Sequence, residues 1–303
     1  MGPKEKMLEQ LKGVEQLAHT TRLGRLLYHP FRYLSAILFK DFIYPRTKRE
    51  QKKKARLFYG KMMTVILPAA TDIYLTGGKS HDSEIRLARF LIRNLKEGDQ
   101  FLDIGAHYGY FSLIASELTG ANGRVLALEP ATKSGAILQE NCKNRSNITL
   151  VPKAISDQVG EISFYEFPNL FSEYNAINVD QFRDEKWFAD FNPVKTTVAT
   201  TTVNEITAEG FTPSMIKIDV EGAELKVVEG GLDFLRRHSP VIAMEYLSPE
   251  RGNTEHRQAL ALLREAGYNT FVLDKDGGLV ATTDIEQHLA QTGMESDNII
   301  FRK

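Results

Sequence analysis

The 303-residue chain holds one cysteine, Cys142, and one tryptophan. A lone thiol excludes an internal disulfide and leaves no Cys-rich metal site, which suits a reducing cytoplasm. No run approaches the roughly 20 apolar residues that a spanning helix needs. No short apolar core between a basic start and a small-residue cleavage site marks a secretory signal. Gly2 is not followed by the serine or threonine of a myristoylation signal, because Lys6 and Met7 stand there. Repeats and low-complexity tracts are missing. The expectation is a cytoplasmic globular protein, at most peripheral at the inner membrane face, with one α/β domain and an extension rather than two equal domains.

The formal net charge of −1 conceals an asymmetry. Residues 1–60 carry 14 Lys/Arg against 5 Asp/Glu, and the remainder 24 against 34. A basic arm on an acidic body points to an anionic partner for the arm. Residues 4–60 read as helical, with Leu23, Leu26, Leu27, Phe31, Leu34, Ile37, Leu38 and Phe42 at three- and four-residue steps and Pro30 opening a new helix. The run Lys48 to Arg56 reads as a basic helix start or a linker. This arm either packs on the body or on a second copy of the chain, or lies on anionic lipid. Nucleic-acid binding has no motif to support it. A small hairpin is expected from Thr64–Pro68 and Asp72–Leu75, so that residues 1–80 form the extension and 81–303 the main domain.

From Ser80 to Leu95 an amphipathic helix is predicted, capped by Ser80 or Asp82. Strands are predicted at 101–104, 124–129, 148–151, 215–219, 240–246, 268–273 and 297–302, and helices near 110–118, 131–143, 222–236 and 254–266. Segments 161–166 and 196–203 read as added strands flanking an insertion, 168–195. Alternating strand and helix argues for a mostly parallel sheet with helices on both faces. In such folds ligands sit beyond the carboxyl ends of the strands, where the strand order reverses.

Four stretches place chemistry at strand ends. Phe101-Leu102-Asp103-Ile104-Gly105-Ala106-His107-Tyr108-Gly109-Tyr110-Phe111 reads as strand, glycine turn and helix start, a geometry that brings a nucleotide-like ligand close to the backbone. Its spacing is D-x-G-x-x-x-G, and His107 occupies the place of the second glycine of the dinucleotide pattern G-x-G-x-x-G. An acid before the turn suits a cationic or amino-bearing cofactor better than a pyrophosphate. Glu129 ends the second strand, where an acid takes both hydroxyls of a ribose or simply faces a helix N-terminus. Lys217-Ile218-Asp219-Val220-Glu221-Gly222-Ala223-Glu224 sets one lysine and three acids around another strand end. By alternation Lys217, Asp219 and Glu221 share the face toward the cleft, where one carboxylate could accept a proton or two could hold a divalent cation. Glu224 reads as a solvated helix-terminal acid. Glu245 either lines the cleft or is capped by a neighbour, and His107 is either a turn histidine or a catalytic one.

With Ala127-Leu128-Glu129-Pro130, Ala154-Ile155-Ser156-Asp157 with Gly160, and Ile216 to Glu224, the glycine turn forms four motifs in order. Together they resemble the FkbM family of S-adenosylmethionine-dependent methyltransferases over roughly residues 100–246. The resemblance implies a Rossmann-like class I methyltransferase fold, with a seven-stranded sheet whose last strand is antiparallel and inserted beside its neighbour. It implies O-methylation of a sugar hydroxyl in a glycan, glycolipid or glycosylated natural product. By position, Asp103, Gly105, Ala106, His107 and Gly109 would hold the methionine end of the cofactor, and Glu129 its ribose. Ala154 to Asp157 would approach the adenine, and Asp219 would sit by the methyl group. Asp219 or Glu221 would be the base, with His107 in reserve, and Asp219 and Glu221 would ligate a metal if one assists. Phe171, Tyr174, Asn175, Asn178 and Trp187 of the insertion offer faces and amides suited to a sugar ring. Two rivals remain: a nicotinamide-dependent oxidoreductase, disfavoured by His107, and a membrane-associated scaffold, disfavoured by the retained acids.

Overall fold

In the computed structural model the described residues are 2–177, 179, 188, 191–208 and 210–303. The chain opens with helices α1 (Pro3–His19), α2 (Arg22–Tyr28) and α3 (Pro30–Leu38), a π turn at Phe39–Ile43, and α4 (Tyr44–Thr47). Pro30 starts α3, as its fixed φ favours. Strands β1 (Gln51–Arg56) and β2 (Met62–Leu67) pair antiparallel, and α5 (Thr71–Thr76) and α6 (Asp82–Asn94) follow. Three sequence expectations change here. The lysine-rich stretch is a strand, because Lys48 takes a left-handed turn and β2 supplies a β-branched partner. The hairpin lies one element earlier than expected, and 71–76 is helical.

The body continues with β3 (Gln100–Ile104), α7 (Tyr110–Thr119), β4 (Arg124–Leu128), α8 (Thr132–Cys142) and β5 (Ile148–Val151). Short β6 (Ala154–Ile155), β7 (Gly160–Glu166) and β8 (Val194–Thr201) form a separate three-stranded sheet. Then come α9 (Val203–Thr207), β9 (Met215–Ile218), α10 (Glu224–Glu229), α11 (Leu232–His238), β10 (Val241–Leu247), α12 (Thr254–Glu265), β11 (Asn269–Leu273), β12 (Leu279–Ala281), α13 (Ile285–Thr292) and β13 (Ser296–Arg302). The main sheet runs β12-β11-β13-β10-β9-β3-β4-β5. Strands β10, β9, β3, β4 and β5 pair parallel, whereas β13 lies antiparallel between β10 and β11.

The sheet therefore has eight strands rather than seven. The extra strand, β12, is three residues long and too short to leave a period; it is made by a turn in which Asp274 Oδ1 accepts the amides of Asp276 and Gly278. The helix expected over 222–236 starts at Glu224 and breaks at Gly230-Gly231. A Cβ on Gly230 would fall 2.2 Å from the Ser156 carbonyl oxygen, so the backbones meet where the helix breaks.

Alternation along each strand feeds two cores. Phe101, Val125, Met215 and Ala243 face α1, α6 and α7, while Leu102, Leu126, Ile216 and Ile242 face α10, α11 and α12. Helix α1 joins the first core through Met7, Leu11 and Val14. Further along the arm, Leu23, Leu27, Phe31, Leu34, Leu38 and Phe42 face solvent. The strand order reverses between β9 and β3, which opens a crevice at their carboxyl ends.

Candidate active site

A cleft of about 510 Å³ occupies that crevice. Its floor is the turn after β3. Gly105 (φ +78°), His107 (φ +49°) and Gly109 (φ +88°) bend the chain from strand into α7 through the left-handed region. A Cβ on Gly105 would lie 1.8 Å from the Asp219 carbonyl oxygen, so the loops after β3 and β9 touch at a point that only glycine can occupy. Gly105 and Ala106 both donate to the Leu128 carbonyl, which ties the same turn to β4.

Of the residues singled out in the sequence, Gly105, Ala106, His107, Glu129, Ala154, Asp219, Glu221 and Glu245 line this cleft. Asp103 does not: it lies beneath the turn, 1% exposed, accepting from Ser112 Oγ at 2.5 Å. Gly109 contributes the bend and not the wall. Asp157 also lies off the wall, because its carboxylate accepts from Ser156 Oγ and from Lys226 Nζ at 3.2 Å. The adenine contact assigned to Asp157 by resemblance is thus not offered by its placement. Ala154 and Ile155 of β6 form that part of the wall.

Glu129 follows β4 and turns back over the glycine turn. Its Oε2 accepts the His107 amide at 2.8 Å and its Oε1 the Ala131 amide at 3.0 Å. Burial pushes its carboxyl up to about 7, and those two amides hold it from rising further. The His107 ring stacks on Tyr108, with Nε2 3.0 Å from Ser172 Oγ. Burial lowers its pKa to about 4 against the pull of Glu173, so the imidazole is neutral at physiological pH.

At the end of β9, Lys217 is 2% exposed and reaches Asp219 Oδ2 at 3.0 Å and Asp103 Oδ1 at 3.7 Å. Burial depresses this ammonium, but Asp219 and Asp103 outweigh it and hold the charge in place. Burial likewise raises Asp219, yet Lys217 and Lys79 overcome it and keep the carboxylate ionised. Glu221, in a left-handed conformation at φ +51°, and Glu245, two residues before the end of β10, complete a trio with Asp219. One oxygen from each lies within 4.8 Å of the others. Burial and mutual repulsion raise Glu221 and Glu245 well above the usual carboxylate range. Among the described residues this is the group with metal-ligand geometry.

Two features were missed in the sequence. Glu224, read as solvated, is fully buried: it accepts the amides of Val220 and Gly222 and sits 3.3 Å from His256 Nε2. It therefore clamps the turn that carries Asp219 and Glu221. Lys79, from the loop before α6, also lines the cleft, paired with Glu84 and 3.7 Å from Glu173. Its Gly-Gly-Lys context carried no signal. From the insertion, Tyr174 and Asn175 line the cleft, while Phe171 stacks on Tyr174 and meets Phe191 at a tilt. Asn178 and Trp187 lie outside the described residues.

Residues 103–270 match the family model described as the methyltransferase FkbM domain. The hexuronic acid methyltransferase AglP of Haloferax volcanii is 27% identical over 198 residues, covering 63% of this chain and 73% of AglP. The methyltransferase FkbM structure from Methylobacillus flagellatus aligns with 15% identity and a TM-score of 0.44 over 78% of this chain and 53% of that one. This chain thus spans about half the length of that protein. An O-methyltransferase from Bacillus cereus in complex with SAH aligns with 14% identity and a TM-score of 0.40, covering 71% and 78%.

Proposed function

Because the chain belongs to the FkbM family of S-adenosylmethionine-dependent methyltransferases, we propose that it transfers a methyl group to a hydroxyl of a sugar-containing acceptor. One observation carries the reading. The glycine turn, Glu129 and the Asp219–Glu221–Glu245 trio, which come from four separate strand ends, converge on one cleft. The sugar acceptor is supported by the relative whose name states a hexuronic acid substrate.

The residues present fit the cofactor. Gly105, in the floor of the cleft, lets the loop that carries Asp219 close onto the glycine turn, so the turn and that carboxylate border the same space. Glu129 faces the cleft, and each carboxylate oxygen retains a lone pair beyond the amide it accepts. Asp103, beneath the turn and off the wall, sets a buried carboxylate under the floor, its Oδ1 without a hydrogen-bond partner and 3.7 Å from the Lys217 ammonium. Acids outnumber cations along the wall, which suits a positively charged donor.

When bound, the cofactor supplies an electrophilic methyl group. In our assignment Glu129 accepts its ribose hydroxyls, and the glycine turn with Ala106 lies against its amino-acid end. A sugar hydroxyl is a weak nucleophile, so alignment and proton removal are the tasks left to the protein. The trio takes the proton: burial and the neighbouring carboxylates raise the basicity of Glu221 and Glu245 at the cleft wall. Asp219, fixed by Lys217, orients the incoming hydroxyl. Neutral His107, bonded to Ser172, shapes the wall beside the insertion. Tyr174 and Asn175 offer a ring face and an amide to the acceptor.

Calorimetric titration with S-adenosylmethionine, S-adenosylhomocysteine and NAD tests the reading. The first two are expected to bind at micromolar concentration and to weaken in Glu129→Ala. Binding of NAD alone would overturn it. With labelled methyl donor and uronic-acid glycans as acceptors, Asp219→Ala should abolish transfer, and near-wild-type turnover in that variant would remove Asp219 from the mechanism.

A further inference from the structure

Eight of the twelve large apolar side chains that are exposed among the described residues fall between positions 23 and 43. Leu27 is 74% exposed and Phe31 89%. Phe31, Leu34, Leu38 and Phe42 recur at three- and four-residue steps, so α3 and its π turn present one continuous apolar face outward. Scattered apolar side chains are ordinary on a protein surface, but a contiguous row of this kind marks a contact surface. The opposite face of the same segment is buried. Phe39 and Tyr44 pack on Leu67 against Tyr74, Leu170 and Phe191. The insertion that supplies Leu170 lines the cleft two residues later, from Ser172 to Asn175. The apolar face is therefore attached to the wall of the acceptor side.

Residues 22–49 carry seven Lys/Arg and a single acid, Asp41. Arg22, Lys40, Arg46, Lys48 and Arg49 are exposed around the apolar row. We propose that this face lies on an anionic bilayer surface, with the apolar row entering the acyl boundary and the basic rim meeting lipid phosphates. Charge selects this occupant over a second copy of the chain. A two-fold contact through the face would set a surplus of six positive charges against itself, whereas an anionic leaflet complements it. No helix among the described residues is long and apolar enough to cross a membrane, so the contact is one of lying on the surface. Docked in this way, the arm holds the cleft beside the leaflet, where a sugar carried on a lipid would be presented.

Flotation of the full chain with vesicles tests the proposal without cofactor or acceptor, and so independently of the methyl-transfer reading. The protein is expected to float with phosphatidylcholine vesicles containing phosphatidylglycerol, and to stay behind with phosphatidylcholine alone or in high salt. The double substitution Leu27→Glu, Phe31→Glu should weaken binding by roughly tenfold to a hundredfold. Both side chains are exposed, and an unchanged thermal melt would confirm that the fold survives. Arg22→Gln with Lys40→Gln should lower binding by about tenfold through charge alone. Wild-type protein that fails to float, or variants that float equally, would overturn the proposal. So would a wild-type dimer in sedimentation that the apolar double substitution converts to monomer without any vesicle binding.

Discussion

Four donors are expected to meet at Glu129: the amides of His107 and Ala131, seen in the structure, and two ribose hydroxyls. An ionised carboxylate accepts all four, whereas a protonated one turns one oxygen into a donor that opposes them. Because burial raises this carboxyl to about 7, the choice between the two forms falls within an accessible pH range. The ionised fraction is about nine-tenths at pH 8 and about one-tenth at pH 6, so affinity for S-adenosylhomocysteine should fall about tenfold, or about 1.4 kcal/mol. The sign for stability is opposite. The folded-state pKa lies above the unfolded value of 4.5. The native state thus binds the extra proton, and stability falls as pH rises from about 4.5 to about 7, by at most about 3 kcal/mol for this group. Binding strengthens over a range in which the ligand-free protein weakens. Calorimetry at pH 6, 7 and 8 on wild type and Glu129→Gln reads the effect. The amide variant should bind weakly with no such slope, since its NH₂ group opposes a backbone donor at every pH. His107, held near 4, does not titrate in this window. A flat wild-type profile, or the same slope in Glu129→Gln, would refute the assignment.

Gly105→Ala should lower the melting temperature by about 5–15 °C, from a left-handed penalty and a backbone overlap together of about 2–5 kcal/mol; an unchanged melt would mean that the two loops do not meet there. Lys217→Met strands Asp103 and Asp219 without their cation and should cost about 3–5 kcal/mol at pH 8. The loss should shrink at pH 5 as carboxylates protonate, and urea unfolding that gives the same loss at both pH values would argue against the ion-pair account. Mn²⁺ titrated into the protein should reveal one saturable site at the trio, weakened about tenfold or more in Glu245→Gln; the absence of saturation would leave the trio to proton transfer alone.

Much of this architecture was readable from the residues. Apolar runs such as 101–104 and 241–247, each ending in an acid or a turn, mark buried strands, and their ends mark the cleft. The insertion of the last strand beside its neighbour came from resemblance, since no period in residues 296–302 says which strands flank it. The strand at 51–56 was hidden because its lysines favour no sheet locally; pairing with β2 and contacts from Lys52 and Lys54 to Glu140 decide it. Glu224 was misread for a similar reason. A charged residue at a helix start looks solvated until His256, 32 positions later in the chain, closes over it. The eighth strand and the break at Gly230-Gly231 depend on tertiary neighbours in the same way. Asp219 and Glu221 stand two positions apart in the sequence, but the third carboxylate of their group arrives from β10, by a route that sequence spacing does not encode.

The position of β13 bears on how the protein is made. Strands β10 and β11 leave the ribosome before the segment that separates them, Ser296–Arg302, has been synthesised. Until then each presents an unpaired edge, and β10 also carries Glu245 of the trio. A nascent chain therefore holds two adhesive edges, and both are closed by the same late strand.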